Sequence, residues 1–163
     1  MSRIVVADAG PLIALARIGR LELLNRLYGG VVVPTSVMEE FQHDSGRPGA
    51  RALGAALAKG WLEVMAAPTD ALELKRLLDP GEAEAILLAE KIACRFLLID
   101  ERRGRAVARR RGIPVVGTGG LLLSAKRKGG LQSVTAELER LTENGYRLAP
   151  ALIEEIQRLA GES

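Results

Sequence analysis

The chain has 163 residues, 48% apolar and 26% charged, with a formal net charge of +3. That length and balance fit one folded domain with a sizeable core and exclude a disordered chain. An aromatic content of 3% argues against an aromatic platform for stacking bases, and no apolar run approaches the roughly 18 residues of a membrane span.

The first predicted element is a strand over Ile4–Ala7, in "RIVVAD", which stops on Asp8. A helical pattern follows over Pro11–Leu27, broken near Gly19. "GGVVVPTS" supplies a turn, a strand at Val31–Val33 and the start of a helix over Ser36–His43. Ser36 is the expected cap there, with Glu39 completing a capping box. "HDSGRPG" at 43–49 has loop composition. Next come a helical pattern at Pro48–Lys59, a weaker strand near Trp61–Met65 and a helical pattern at Ala71–Leu78. In "DPGEAEAILLAEKI", Asp79 is an N-cap, Pro80 takes the first helical position and Glu82 is the capping-box partner of a helix running to Ala93. A strand at Phe96–Ile99, in "RFLLID", stops on Asp100. A helix at Arg102–Arg111, a strand at Ile113–Val116 and helices at Val134–Glu143 and Pro150–Leu159 complete the chain. Strands alternating with helices predict an α/β fold with a mostly parallel sheet covered on both faces. No repeat or low-complexity linker interrupts it.

Two strands ending on an acid is the informative pattern. In an open parallel sheet, ligands bind beyond the carboxyl ends of the strands, so Asp8 and Asp100 meet in one crevice if their strands are neighbours. Two carboxylates held together repel unless a proton or cation is shared. As single residues each would read as a cap or turn; the repetition favours a site. Glu40, beside Phe41 and on the face of Val37, and Glu82, opening the helix before "RFLLID", are positioned to join them. A cluster of carboxylates without histidines is a hard oxygen site suited to Mg²⁺ or Mn²⁺ and to phosphate chemistry. The only histidine is His43 and the only cysteine Cys94, so no His/Cys zinc site can be assembled. His43 is expected at the surface and Cys94 in the core. A single cysteine fits a reducing compartment, and Asp8 inside the first apolar stretch does not fit a signal peptide. The cytoplasm is therefore the expected location.

Charge is unevenly spread. Residues 95–128 hold 10 basic side chains against two acids, Asp100 and Glu101. Six arginines lie between 102 and 111, with Ala106 and Val107 expected to face the core. Arg102, Arg105 and Arg109 fall on one helix face, adjacent to Asp100, where they suit phosphates of a nucleic acid. The alternative is a solvated helix face.

The stretches "VVADAGPLIALARIGRLELL", "VVVPTSVMEEF" and "DPGEAEAILLAEKIACRFLLIDERRGRAVARRRGIPVVGTGGLLLSAKRKG" resemble, in that order over residues 4–130, the PIN-domain nucleases and their toxin-ribonuclease branch. The resemblance implies a three-layer α/β sandwich with a central parallel sheet at 1–130, with residues 131–163 as a helical extension packed on the same domain. It implies a metal-dependent nuclease whose acids are Asp8, Glu40, Glu82 and Asp100, with Mg²⁺ or Mn²⁺ as cofactor and RNA as substrate. It also implies a cognate antitoxin as partner. Thr118, in "VVGTGG", matches a recurrent family element; its hydroxyl suits a metal-held water or a phosphate, or else an ordinary turn or cap. One departure is Gly10, where the family often has serine or threonine. Glu82 and Glu84 differ by about 200° around a helix, so one of them faces the crevice. The family's spacing of 18 residues before the strand-end aspartate selects Glu82 and leaves Glu84 as an outer supporting group.

Two competing classes are a PIN-like binding protein with little activity and a receiver-like or phosphatase-like domain using Asp8. The first would be favoured by a missing carboxylate, and all four are present. The second lacks the further aspartate two residues after Asp8 and any phosphoacceptor in "GGVVVPTS". Leu148, Leu152, Ile153 and Ile156 exceed the apolar needs of one short helix, which raises the expectation of a homodimer or an antitoxin groove.

Overall fold

The computed structural model describes residues 3–43, 46, 49–68 and 72–163. Five short strands, β1 (Val5–Ala7), β2 (Val31–Pro34), β3 (Leu62–Met65), β4 (Leu97–Leu98) and β5 (Val115–Val116), form one sheet in the order β3-β2-β1-β4-β5. Every pairing is parallel. From β1 the chain builds outward to β2 and β3, then returns to lay β4 on the opposite side of β1. The direction of winding reverses between β1 and β4, and a crevice opens at that switch point.

The apolar runs explain why the sheet is buried on both faces. Val5, Ala7, Val31, Val33 and Leu98 point to one side, and Val6, Val32, Leu97 and Ile99 to the other, as strand alternation requires. The first face is covered by α1 (Ala9–Arg17), α2 (Glu22–Tyr28), α4 (Ala50–Lys59), α8 (Thr118–Arg127) and α9 (Val134–Glu143), through side chains such as Leu12, Leu24, Leu53, Leu122 and Leu138. The second is covered by α5 (Leu72–Leu77), α6 (Pro80–Lys91) and α7 (Arg102–Arg110), through Leu74, Ile86 and Val107. The result is a three-layer α/β sandwich. Each fully buried leucine or isoleucine contributes about 1.5–3 kcal/mol by leaving water. Helix α3 (Thr35–His43) follows β2 and packs against α1 and α6, while α10 (Pro150–Leu159) packs on α8 and α9. Cys94 is buried in the second core.

Several sequence expectations are corrected. The break expected near Gly19 falls at Ile18–Leu21, but the first of the two helices begins at Ala9 rather than Pro11. Helix α8, over "TGGLLLSAKR", is absent from the elements expected from the sequence; burial of Leu121, Leu122 and Leu123 carries it despite Gly119 and Gly120. Ser36 is not a cap, since α3 starts one residue earlier and the Ser36 hydroxyl is turned to Glu84. Ala106 is exposed; Gly104, Val107 and Ala108 are the core-facing residues of α7. At the C-terminus Ile156 is buried, Leu148 and Ile153 pack partly on the core, and Leu152 is 46% exposed. The segment "HDSGRPG" and the first residue of the Ala71–Leu78 pattern fall largely or wholly outside the described residues, as does the side chain of His43. Among the described residues no helix is long and apolar enough to cross a membrane.

Candidate active site

A cleft of about 1040 Å³ lies beyond the carboxyl ends of the strands at the switch point. Its acid end is lined by Asp8, Glu40, Asp79, Glu82, Asp100 and Glu101, and Arg102 and Arg105 stand beside them. Each acid arrives by a separate route. Asp8 is the N-cap of α1, one residue past β1, and its amide donates to the Leu98 carbonyl at 2.9 Å. Asp100 lies two residues past the end of β4. Glu40 sits one turn into α3, and Asp79 and Glu82 open α6. Helix starts converge here, and their positive ends favour carboxylates.

The crowding has an electrostatic signature. Asp8 is 8% exposed and Glu82 is 5% exposed. Burial pushes the Asp8 carboxyl up to about 7; the Ala9 amide opposes this, and the charges of Asp79, Glu82 and Glu40 add to it. Burial also raises Glu82, with its hydrogen bond to Asp79 and the Asp79 charge adding, and raises Glu40, with Asp79 adding. The like charges bearing on Asp8 are thus Asp79, Glu82 and Glu40, rather than Asp100 as the strand-end pattern suggested.

Glu82 combines two roles that the sequence presented as alternatives. Its amide donates to Asp79 Oδ1 at 2.8 Å, and its Oε1 accepts from the Asp79 amide at 3.3 Å, closing the capping box. Its Oε2 is buried with no hydrogen-bond partner. That oxygen lies 3.0 Å from the position a Cβ on Gly104 would take, so a side chain at 104 would intrude on it. A buried unsatisfied carboxylate oxygen is costly, and a cation would satisfy it. Glu84 is not in the cleft. Its Oε1 accepts from the Ser36 amide at 3.3 Å, its Oε2 accepts from Ser36 Oγ, and Lys75 Nζ lies 3.9 Å away. Glu84 therefore anchors the first turn of α3, the helix that carries Glu40.

Asp100 is held by α8. Thr118 donates its amide to Asp100 Oδ1 at 2.7 Å and its hydroxyl to Oδ2 at 2.6 Å. Thr118 is the first residue of α8 and fully buried, so its hydroxyl serves Asp100 rather than a cap. Arg105 Nη1 donates to the Ile99 carbonyl at 3.3 Å. Burial and the Arg109 charge lower the Arg105 guanidinium, against the opposing pull of Asp100. Arg102 is exposed at the cleft, and Arg109 lies outside its lining. Arg103 donates to the Leu77 carbonyl and Arg111 pairs with Glu90 at 2.7 Å, so both are occupied elsewhere.

Three lining residues escape a reading of the sequence. Asp79 reads as a cap alone, although its place three residues before Glu82 puts it at the same helix end. Glu101 directly follows Asp100. Tyr146, between α9 and α10, carries no local signal, and it lines the same cleft as Asp100. Burial and the Asp100 charge push this phenol well above its ordinary range, so it stays neutral.

The donors fit a hard divalent ion. All are oxygens, Glu82 Oε2 is unsatisfied, and Asp8 is buried among like charges that a cation would relieve. Among the described residues no group of three or more His, Cys, Asp or Glu side chains is arranged to hold a metal ion. Mg²⁺ commonly binds through one or two carboxylates and several waters, so an open arrangement matches it.

The fold and this acid-lined switch point define a nuclease-type α/β domain. A family model described as a PIN domain matches residues 4–162, and the chain belongs to the PIN-domain family. PIN domains are generally nucleases that use divalent metal ions. Among solved structures, the chain is similar to a PilT N-terminus domain protein from the hyperthermophilic archaeon Sulfolobus solfataricus P2. The TM-score is 0.54 at 19% identity, over 75% of this chain and 92% of that one. No curated protein matches the chain.

The raised acids predict a pH-dependent stability. A carboxyl held up to about 7 in the fold binds its proton more tightly than in the unfolded chain. Its contribution is fully present below the unfolded value near 4 and is lost as pH rises through 7. In chelator, the Tm should therefore be lower at about pH 8 than at about pH 5.5, and Mg²⁺ or Mn²⁺ should restore it at the higher pH. Asp8→Asn should flatten this difference in a thermal melt; an equally steep dependence in Asp8→Asn would refute the assignment.

Proposed function

We propose that this PIN domain is a divalent-metal-dependent endoribonuclease, acting as the toxin of a toxin–antitoxin pair. The observation that carries the reading is the buried, mutually repelling carboxylate group at the β1/β4 switch point, with Glu82 Oε2 left without a partner. In this reading Asp8, Glu40, Glu82 and Asp100 hold Mg²⁺ or Mn²⁺, and Asp79 adds charge that the family resemblance does not name. When bound, such an ion supplies Lewis acidity and an activated water for in-line displacement at phosphorus. The chain's own residues do the rest. Arg102 and Arg105 orient the phosphate beside the acids, the buried walls exclude bulk water, and Thr118 fixes Asp100. Glu84 supports the site from outside by anchoring α3. RNA rather than DNA, an antitoxin partner, a cytoplasmic setting and a homodimer belong to the same proposal. They rest on the resemblance to toxin ribonucleases and on the exposed apolar edge at Leu152 and Leu159.

A second reading, a PIN fold that binds nucleic acid with little activity, draws on two observations. Gly10 lines the cleft where the family often has a hydroxyl, and nothing lies within 4 Å of where its Cβ would be. Both Asp100 oxygens are already engaged by Thr118.

Incubating the protein with structured and single-stranded RNA and DNA, in Mg²⁺, Mn²⁺ or EDTA, and mapping the cut ends separates these readings. Asp8→Asn and Asp100→Asn should abolish cleavage with the fold intact, and Glu82→Gln should lose nearly all of it, at a cost of about 1 kcal/mol through the cap. Glu84→Gln should retain measurable cleavage with a higher metal requirement. Wild-type rates in Asp8→Asn, or greater loss in Glu84→Gln than in Glu82→Gln, would overturn the assignment.

The arginines give an independent check. Replacing Arg102, Arg105 and Arg109 with glutamine should weaken RNA binding with little sequence bias. The slope of log affinity against log salt should fall by about 0.7 for each single-strand phosphate that is no longer neutralised. Arg109, outside the cleft lining, should contribute least. An unchanged slope in the triple variant would return these residues to a solvated helix face.

A further inference from the structure

Residues 95–128 carry the local excess of positive charge, and the first and last of them, Arg95 and Lys128, meet in the fold. They meet on Tyr28. The Arg95 guanidinium carbon lies 4.8 Å from the centre of the Tyr28 ring, and Lys128 Nζ lies 4.6 Å from it. The ring is itself fixed. It packs edge-on against Phe96 at 5.0 Å, and its hydroxyl shares a hydrogen bond of 3.0 Å with Ser124 Oγ. The face of such a ring attracts cations, so Tyr28 gathers two flexible basic side chains at one point.

That point lies at the other end of the sheet from the acids. Tyr28 ends α2 just before β2, Arg95 precedes β4, and Lys128 follows the last residue of α8. Helix α8 begins with Thr118 beside Asp100, so its 10 residues, about 15 Å of helix, separate the two places. The backbone under Arg95 is firmly held. Ala93 takes a left-handed conformation (φ 48°), the Cys94 amide donates to the Ala89 carbonyl at 3.0 Å, and the Arg95 amide donates to the Ile4 carbonyl at 2.9 Å. The last of these bonds brings the exposed Arg3 next to the patch.

Other basic residues of the segment are used inside the protein: Arg103 on the Leu77 carbonyl, Arg111 on Glu90 and Lys126 on Glu162. Arg3, Arg95 and Lys128 are exposed, and none of them pairs with an acid among the described residues. Their distances to the ring keep Arg95 and Lys128 within about 10 Å of each other, the Debye length in about 0.1 M salt, so their charges repel. An anion shared between them removes that repulsion. Phosphate suits both, by the planar fork of arginine and the point charge of lysine. A flexible single strand lying in the cleft can continue to this patch, whereas a stiff duplex would have to bend.

We propose that Arg95 and Lys128, gathered on Tyr28 with Arg3 beside them, form a second binding surface for the phosphates of a single-stranded RNA, at the end of the sheet opposite the cleft. The choice of RNA rests on the nuclease reading; the contact with a phosphate backbone does not.

The test measures binding in EDTA, by fluorescence anisotropy over a range of salt, with a single-stranded RNA of about 32 nucleotides, longer than one compact binding site. In Arg95→Gln/Lys128→Gln the slope of log affinity against log salt should fall by about 1.4, two phosphates at about 0.7 each. That fall should add to the one in Arg102→Gln/Arg105→Gln when all four substitutions are combined. The charge-conserving Arg95→Lys/Lys128→Arg should keep the wild-type slope. An unchanged slope in Arg95→Gln/Lys128→Gln would overturn the proposal, as would a combined variant no lower than Arg102→Gln/Arg105→Gln. An equal fall in the charge-conserving variant would make the effect structural and overturn it too. Co-sedimentation with vesicles of phosphatidylcholine and phosphatidylserine is the second arm. Vesicle binding lost in Arg95→Gln/Lys128→Gln beside an unchanged RNA slope would assign the patch to a membrane surface instead. Because EDTA removes metal-dependent cleavage, the two readings fail separately. A protein that cuts nothing yet shows the predicted fall sinks the nuclease reading and supports the patch; normal cleavage in Mg²⁺ with an unchanged slope sinks the patch alone.

Discussion

The structure is organised around a cost: several carboxylates crowd at one end of a buried sheet, and the innermost, Asp8, is largely removed from water. Burying a charge is unfavourable unless it is paired, protonated or bound to a cation. The neighbours of Asp8 are Asp79, Glu82 and Glu40, all of the same sign, and together with burial they favour its protonated form. Some of these acids also serve local structure: the capping box of α6 uses Asp79 and one oxygen of Glu82, and Asp100 accepts the first amide of α8.

The sheet order makes the crowding possible. With β1 between β2 and β4, the residues after β1 and β4 are adjacent, and the helices entering from β2, β4 and β5 start around the same opening. Their positive ends partly offset the repulsion. The absence of side chains at Gly104 and Gly117 leaves room for Glu82 Oε2, Asp100 and Arg105. The Cβ that Gly117 lacks would lie 3.0 Å from Asp100 Oδ1. Glu84 and Thr118, outside and at the edge of the cleft respectively, fix the elements that carry Glu40 and Asp100. Acids and supports therefore form one assembly drawn from elements scattered along the chain.

The cleft is not uniform. Beyond the acids its walls become apolar, with Leu123, Leu148, Leu152 and Leu159 on α8, α10 and the loop before it. The side at the strand ends is charged, and the side built by the C-terminal helices is largely apolar. An extended nucleic-acid strand would meet both, as would a peptide carrying a basic residue beside apolar ones. This places residues 131–163 at the site rather than remote from it.

What the sequence determined was local. The alternation of apolar strands with helices established an α/β sheet, and "IVVAD" and "FLLID" marked the two carboxylates beyond the strand ends. "DPGEAE" signalled a capped helix start whose first-turn acid is Glu82. These features depend on residues close in the chain, whose spacing is enough to reveal strand alternation, capping and helix direction. Tertiary packing decided the rest. That "GTGGLLLSAKR" is a helix follows from burial of its leucines, which outweighs the low helix propensity of two glycines. That Ser36 serves Glu84 instead of capping α3 depends on α6 packing beside α3. That Asp79 presses on Asp8, and that Tyr146 lines the cleft with Asp100, depends on residues 71 and 46 positions apart being brought to one opening by the fold. Contacts of that separation leave no periodicity in a single sequence, because only the folded core sets the distance between their partners.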